Sequence, residues 1–205
     1  MIEVNPYPEE IKATPVGEVQ VEVFRPDYYH VVMGAGGKAR CEVYGDRLEQ
    51  DRIPLFKRKG GGGTVLLGPH TLVLTVHAGV AKPFAHKSYF HVINRALIEV
   101  LNSFKKLNYE ERGISDISVD GRKIVGSSIF RRKNYLLYQA SLLVLPEFVL
   151  MERYLKHPPR EPDYRNARSH SVFVTCLSDL GFQVNWPHLQ SAFYKHLSEN
   201  LVLDE

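Results

Sequence analysis

The chain of 205 residues is predicted to fold as one α+β domain spanning 1–205. Three observations lead there. Segments with strand-like alternation or β-branched content come mostly first, and helical ones mostly late. A strong two-residue hairpin signal, Asp120-Gly121, separates two strand-like runs. A composition of 44% hydrophobic and 24% charged residues suits one sizeable core.

In chain order, Val19–Phe24 alternates apolar and polar residues as a half-buried strand does. Arg25-Pro26-Asp27 interrupts it before a second strand at Tyr29–Met33. Cys41–Arg52 reads as a short helix or an irregular segment. The apolar stretches Ile53–Phe56 and Val65–Leu67 bracket a glycine-rich loop, giving a strand–loop–strand. Thr71–His77 follows the turn signal Gly68-Pro69. The clearest helix covers Ser88–Phe104, where Phe90, Ile93, Ala96, Leu97, Val100 and Leu101 form one stripe. Asp116–Asp120 and Lys123–Ser128 read as the arms of a hairpin, and Leu136–Leu145 as a further strand. Pro146 opens a helix to about Leu155. Ser171–Leu180 is predicted helical with Gly181 as its cap, and Pro187–Leu201 as the last helix.

A net charge of +3 is too small to require nucleic acid as a partner. Basic residues cluster at Lys57–Lys59 and at Arg131–Lys133, which suits an anionic ligand, an acidic partner, or a merely solvated face. Cys41 and Cys176 give neither a disulfide framework nor metal-ligand spacing. No apolar run reaches the ~18 residues of a spanning helix, and the polar start lacks a signal-peptide pattern. The expectation is a cytoplasmic protein that engages no membrane and no nucleic acid.

Two stretches carry chemistry. Lys57-Arg58-Lys59 runs into Gly60-Gly61-Gly62-Gly63-Thr64, where consecutive glycines let the backbone approach a ligand closely. Their N–H groups can form a concavity that holds an anion, and Arg58 adds a planar fork of donors. A flexible hairpin tip with a basic rim is the alternative. In the second stretch, Lys123 lies inside an apolar strand leading into Gly126, across a turn from Asp116. A Lys and an Asp facing one pocket suit an activated carboxylate and a metal-bound phosphate. An exposed ion pair is the alternative there. Gly34-Ala35-Gly36-Gly37-Lys38-Ala39 matches a dinucleotide fingerprint, but no acidic strand end follows, so a glycine-rich loop beside a pocket is the better reading.

Arg58-Lys59-Gly60-Gly61-Gly62-Gly63-Thr64-Val65 resembles the R-x-x-G-G-G-x-V loop of the lipoate–protein ligases. Asp116 with Gly121-Arg122-Lys123-Ile124-Val125-Gly126-Ser127-Ser128 is similar to that family's D-x(n)-G-x-K-I-x-G-S-A hairpin. Tyr164-Arg165 through Arg168, with Val174-Thr175 and Leu177, resembles its late Y-R-x-x-R…V-T-x-L segment. The matches run in order from about Val19 to Gly181. The resemblance implies a mixed, largely antiparallel sheet flanked by helices, as in the class II synthetase and biotin–lipoate ligase catalytic domain. It also implies a two-step ligation in which ATP and lipoate (or octanoate) give an acyl adenylate, and a lysine of a lipoyl-domain acceptor takes the acyl group. By the same resemblance, Lys123 is the catalytic residue. Arg58, Gly61, Gly62, Gly63, Thr64, Asp116, Gly126 and Ser127 bind nucleotide and acyl group, and Asp116 holds Mg²⁺.

This sequence departs from the family pattern at three places. Leu67 and Gly68 replace an H-D pair, Gln139 replaces a histidine, and Ser115 replaces an asparagine. Gly68-Pro69-His70-Thr71-Leu72-Val73 is closer to the G-P-G-Q-L-V stretch of octanoyl transferases, which work through a cysteine thioester. Cys176 reads as a packed thiol on an apolar helix, and Cys41 has no base to pair with. The expectation is a catalytic domain without a C-terminal accessory domain, which leaves either a separate accessory subunit or a role mainly in the transfer half-reaction. The alternatives are a thioester-using octanoyl or lipoyl transferase and a non-catalytic subunit.

Overall fold

The computed structural model describes residues 2–81 and 85–203. The first half contains β1 (Asn5–Pro6), β2 (Val19–Phe24), β3 (His30–Met33), α1 (Ala39–Glu42), α2 (Gly45–Gln50), β4 (Leu55–Lys57), β5 (Val65–Leu67), β6 (Thr71–Gly79) and α3 (His86–Phe104). The second contains β7 (Tyr109–Arg112), β8 (Asp116–Val119), β9 (Arg122–Arg132), β10 (Tyr135–Leu143), α4 (Phe148–Tyr154), α5 (His170–Phe173) and α6 (Trp186–Asn200). The strands form a fully antiparallel sheet of order β2-β6-β10-β9-β8-β7 and a smaller mixed sheet of order β1-β4-β3-β5. The α+β class and the largely antiparallel sheet are as the sequence leads one to expect.

Strand alternation divides the large sheet into two unlike faces. Leu72, Leu74 and Val76 of β6 and Tyr138, Ala140 and Leu142 of β10 point into one apolar cluster under α3 and α6. The stripe read from α3 is buried there throughout, and α6 adds Leu189, Phe193 and Leu197 at i, i+4, i+8 spacing. Burying each such side chain contributes roughly 1.5–3 kcal/mol. Tyr138 keeps its hydroxyl satisfied by donating to Asn94 Oδ1 at 3.0 Å. The residues between these, Thr71 and Val73, Gln139 and Ser141, Gly126 and Ser128, are small or polar apart from Val73 and line a cavity on the opposite face. The small sheet packs over that side through Val32, Leu67 and Val73.

Asp120 and Gly121 both take positive φ (50° and 71°), which a right-twisted two-residue hairpin requires. The expected strand–loop–strand is present as β4, the glycine loop and β5, but not as the hairpin of the alternative reading: β4 and β5 each pair with β3, in parallel and antiparallel fashion respectively, so the glycine loop bridges two strands that flank a third. The helix expected at Ser171–Leu180 stops at Phe173, because Val174 pairs with Lys123 and the Thr175 amide donates to the Lys123 carbonyl at 2.8 Å. The Leu177 and Ser178 amides then bond the carbonyls of Leu143 and Val144, so sheet edges take the donors a helix would use. Cys176 therefore lies on an extended, buried segment, and Gly181 (φ 76°) ends a turn. The edge strand β7 was not anticipated.

Candidate functional site

Arg58 organises the glycine loop. Its Nη2 donates to the carbonyls of Gly61 (2.6 Å) and Gly63 (2.9 Å), and its Nη1 to that of Val32 (3.2 Å). The side chain is buried, and desolvation pulls its pKa down to about 10, which leaves it cationic at neutral pH. Three of the fork's donors are thus taken by backbone carbonyls, while Nε is buried without a partner. With those carbonyls turned toward Arg58, the N–H groups of Gly62 and Gly63 bond no acceptor among the described residues. Gly62, at φ 87°, permits this course of the chain.

The second glycine loop buttresses the first. A Cβ on Gly34 would fall 2.1 Å from the Gly62 carbonyl oxygen, so only glycine lets the two backbones meet. The Ala35 amide donates to the Gly60 carbonyl at 2.9 Å. Glu42 joins both loops, accepting from the Lys38 amide (3.0 Å) and the Thr64 hydroxyl (2.5 Å). The motif that matched a dinucleotide fingerprint therefore serves as a support for the Arg58 loop, and close approach explains Gly34 and Gly37, though not Gly36.

Lys123 is aimed by a register shift. Ile117 pairs with Val125, but Ser118 pairs with Lys123, leaving Ile124 as an extra residue on β9. The shift turns Lys123 to the face carrying Asp116 and Gly126, which are themselves cross-strand partners. Lys123 Nζ lies 2.7 Å from Asp116 Oδ1, and the other carboxylate oxygen accepts from the Tyr164 hydroxyl at 2.9 Å. Burial and the Asp116 charge raise the Tyr164 pKa, so the phenol stays a donor. A Cβ on Gly126 would sit 2.5 Å from both Lys123 Cε and Nζ, so the ammonium lies directly over this glycine. Gly126→Ala is expected to push the flexible lysine end aside and, where Lys123 acts on a bound substrate, to lower turnover about 10- to 100-fold, on the scale of a misplaced reacting group. The melting temperature should stay nearly unchanged; steady-state kinetics with a thermal melt checks both. Ser127 and Ser115 exchange hydroxyl-to-carbonyl bonds (2.8 and 3.0 Å), locking the strand entrance beside this pair.

These elements surround one cavity of about 670 Å³. Arg58, Gly62, Gly63 and Thr64 line it from the loop, and Asp116, Lys123, Gly126 and Ser127 from the hairpin. Gly61 does not reach it. One end is apolar, formed by Val32, Val65, Leu67, Val73 and Tyr7. The other carries more cations than anions, with Lys156, Arg160 and Arg165 beside Glu161 and Asp163. Arg165 is 5% exposed; its Nε donates to the Arg168 carbonyl (3.0 Å) and lies 3.4 Å from Glu161 Oε2, while Nη2 is buried without a partner. A buried guanidinium N–H without an acceptor is costly unless a ligand supplies one.

Sequence reasoning gave no role to Tyr7, Glu42 or His170, since each enters the site through contacts distant in the chain. Leu67 extends the apolar end, while Gly68 is covered by the Tyr29 ring, 2.2 Å from where a Cβ would stand. Gln139 lines the cavity. Neither cysteine does: Cys41 is exposed elsewhere, and burial raises the Cys176 thiol pKa. Arg131–Lys133 lie at the β9–β10 turn, outside the cavity. Both oxygens of Asp116 are engaged, and no cluster of three or more His, Cys, Asp or Glu side chains able to hold a metal occurs among the described residues. The residues present do not fit a protein-held Mg²⁺.

His170, at the cationic end, has its pKa lowered to about 4, first by burial and then by Arg165. Glu152, 3.8 Å away, and His157 also act on it. Its unfolded form takes up a proton near 6.5 and the folded form only near 4, so stability is full above pH 6.5 and falls as pH drops toward 4. Denaturant midpoints across that window are expected to decline less in His170→Gln than in the parent.

The chain belongs to the lipoyl protein ligase A/B catalytic domain family, whose model matches residues 26–198. A probable lipoate-protein ligase A of Mycoplasma pneumoniae is 25% identical over 138 residues, 67% of this chain. That stretch is 40% of the relative, so the chain spans well under half the length of the curated protein it matches. A bipartite lipoate protein ligase of Thermoplasma acidophilum, solved in a study with its E2 lipoyl domain, superimposes with a TM-score of 0.78 at 24% identity, covering 91% of this chain and 72% of that one. A lipoate-protein ligase A bound with ATP gives 0.73 at 23% identity, covering 88% and 72%. The shared fold is therefore that of the ligase catalytic domain. No described helix is long and apolar enough to cross a membrane.

Proposed function

We propose that this protein is a lipoate–protein ligase-type enzyme, joining lipoate or octanoate to a lysine of an acceptor domain by way of an acyl adenylate. The observation that carries the reading is convergence: the Arg58-pinned glycines and Lys123 line one cavity with an apolar end and a cationic end. The acyl chain lies among Val32, Val65, Leu67 and Val73, with its carboxylate near Lys123. A carboxylate oxygen attacks the α-phosphorus of ATP, forming a C–O–P anhydride as the bond to pyrophosphate breaks. The Gly62 and Gly63 amides hold the phosphate oxygens, and Lys123 offsets charge developing between carboxylate and phosphate. Asp116, steadied by Tyr164, keeps the ammonium in position. Lys156, Arg160 and the unsatisfied Arg165 N–H receive the departing pyrophosphate. In the second step the acceptor amine attacks the acyl carbonyl carbon, the C–O bond to phosphate breaks, and AMP and one proton leave.

Family membership and an ATP-bound structural relative support this reading. A lipoyl domain as acceptor and a separate accessory subunit belong to the same proposal, prompted by the bipartite relative. The test is incubation with α-labelled ATP and lipoate or octanoate, with and without a lipoyl domain. Labelled acyl-AMP and acylated acceptor are expected. Neither product, with the folded protein and an accessory partner supplied, would overturn it.

A further inference from the structure

A second cavity, of about 390 Å³, lies against the first; Phe24, Tyr28, Phe56 and Leu137 line it together with charged residues, Glu22 and Arg25 among them. Only two described residues line both, Tyr7 and Gln139. From this juxtaposition we infer that Tyr7, assisted by Gln139, is the partition that sets the length of acyl chain the enzyme accepts. The inference rests on the acyl-binding reading above and adds a specificity determinant to it.

Tyr7 is held as a rigid stop. β1 pairs in parallel with β4, and the Tyr7 amide donates to the Lys57 carbonyl at 3.0 Å. Two residues on, the Glu9 carboxylate accepts from the Lys59 amide at 3.0 Å, so the strap is fastened on both sides of the ring. The ring stacks on His30 (6.0 Å, 28°) and meets Phe56 edge-on (5.9 Å, 74°). It also packs against the Val32, Leu67 and Val73 cluster of the apolar end. Gln139 completes the wall from the sheet, between Thr75 and Ser128 on neighbouring strands. An alkyl chain growing from Lys123 along the apolar end stops at this wall. Without the Tyr7 ring the two cavities become one channel.

The readout is affinity against chain length for a homologous series of straight-chain carboxylic acids, by calorimetry on the full chain. Each methylene buried in an apolar site is expected to tighten binding about fourfold. For the parent, that gain should end abruptly at a medium chain. In Tyr7→Ala the break should move to longer acids, while short acids bind nearly as before. Gln139→Ala opens the same wall with the Tyr7 ring in place, giving up the Gln139 hydrogen bond to Glu9 but not the Glu9 bond to the Lys59 amide. It should also move the break, which keeps the inference testable should Tyr7→Ala misfold. A break at an unchanged length in folded variants overturns the partition and leaves the acyl reading standing. A folded parent that binds no acid of any length overturns both.

Discussion

Lys123→Met is expected to lower acyl transfer by about 10²–10³-fold, the scale set by removal of one preorganised donor to a developing charge. Methionine keeps the apolar stem and removes only the ammonium. The loss should fall on kcat for adenylation, because the charge that Lys123 offsets grows as the anhydride forms. Stability should change less, since Asp116 keeps the Tyr164 hydroxyl bond. Leaving this carboxylate one partner short costs about 1–3 kcal/mol, or a few degrees of melting temperature. Single-turnover formation of acyl-AMP, read beside a thermal melt, separates the two effects. Equal losses of stability and activity would make Lys123 a structural ion-pair partner and nothing more.

Arg58→Ala is expected to have the largest effect on the fold near the site. Three carbonyls, of Val32, Gly61 and Gly63, lose a buried cationic donor. Hydrogen bonds to charged groups contribute about 1.5–3 kcal/mol each, though not additively, so a loss of about 3 kcal/mol or more follows. Arg58→Lys should recover little, because an ammonium cannot span three carbonyls fixed by a planar fork. Urea unfolding should show the midpoint fall with m unchanged. Hydrogen exchange should show increased opening confined to 58–64 and its support at 34–38. A midpoint within error of the parent would mean that the glycine loop holds its shape unaided.

Much of this architecture was legible in the sequence because its signals are local. The Asp120-Gly121 turn declares itself through φ, and the Ser88–Phe104 stripe through helical periodicity. The Tyr138-Gln139-Ala140-Ser141-Leu142 alternation records which side of β10 meets helices and which meets the cavity. The failures are tertiary. Val172 to Leu177 looks as apolar as a helix, but the carbonyls of Lys123, Leu143 and Val144 claim the amides of Thr175, Leu177 and Ser178. Arg58 reads as a ligand-facing cation, whereas the carbonyls of Val32, Gly61 and Gly63 take its Nη donors. The one-residue shift that aims Lys123 has no sequence signature beyond the family hairpin. Gly34 explains itself only beside Gly62, and Tyr7 only beside Phe56 and His30.

The central claim is that the pinned glycine loop and Lys123 hold an acyl phosphate together. Its most direct measurement is calorimetric titration of the protein, and of Lys123→Met, with a hydrolysis-resistant acyl-adenylate analogue. Tight one-to-one binding by the parent is expected, weakened about 10²-fold or more by the substitution. A folded parent that does not bind, or a variant that binds equally well, would contradict it.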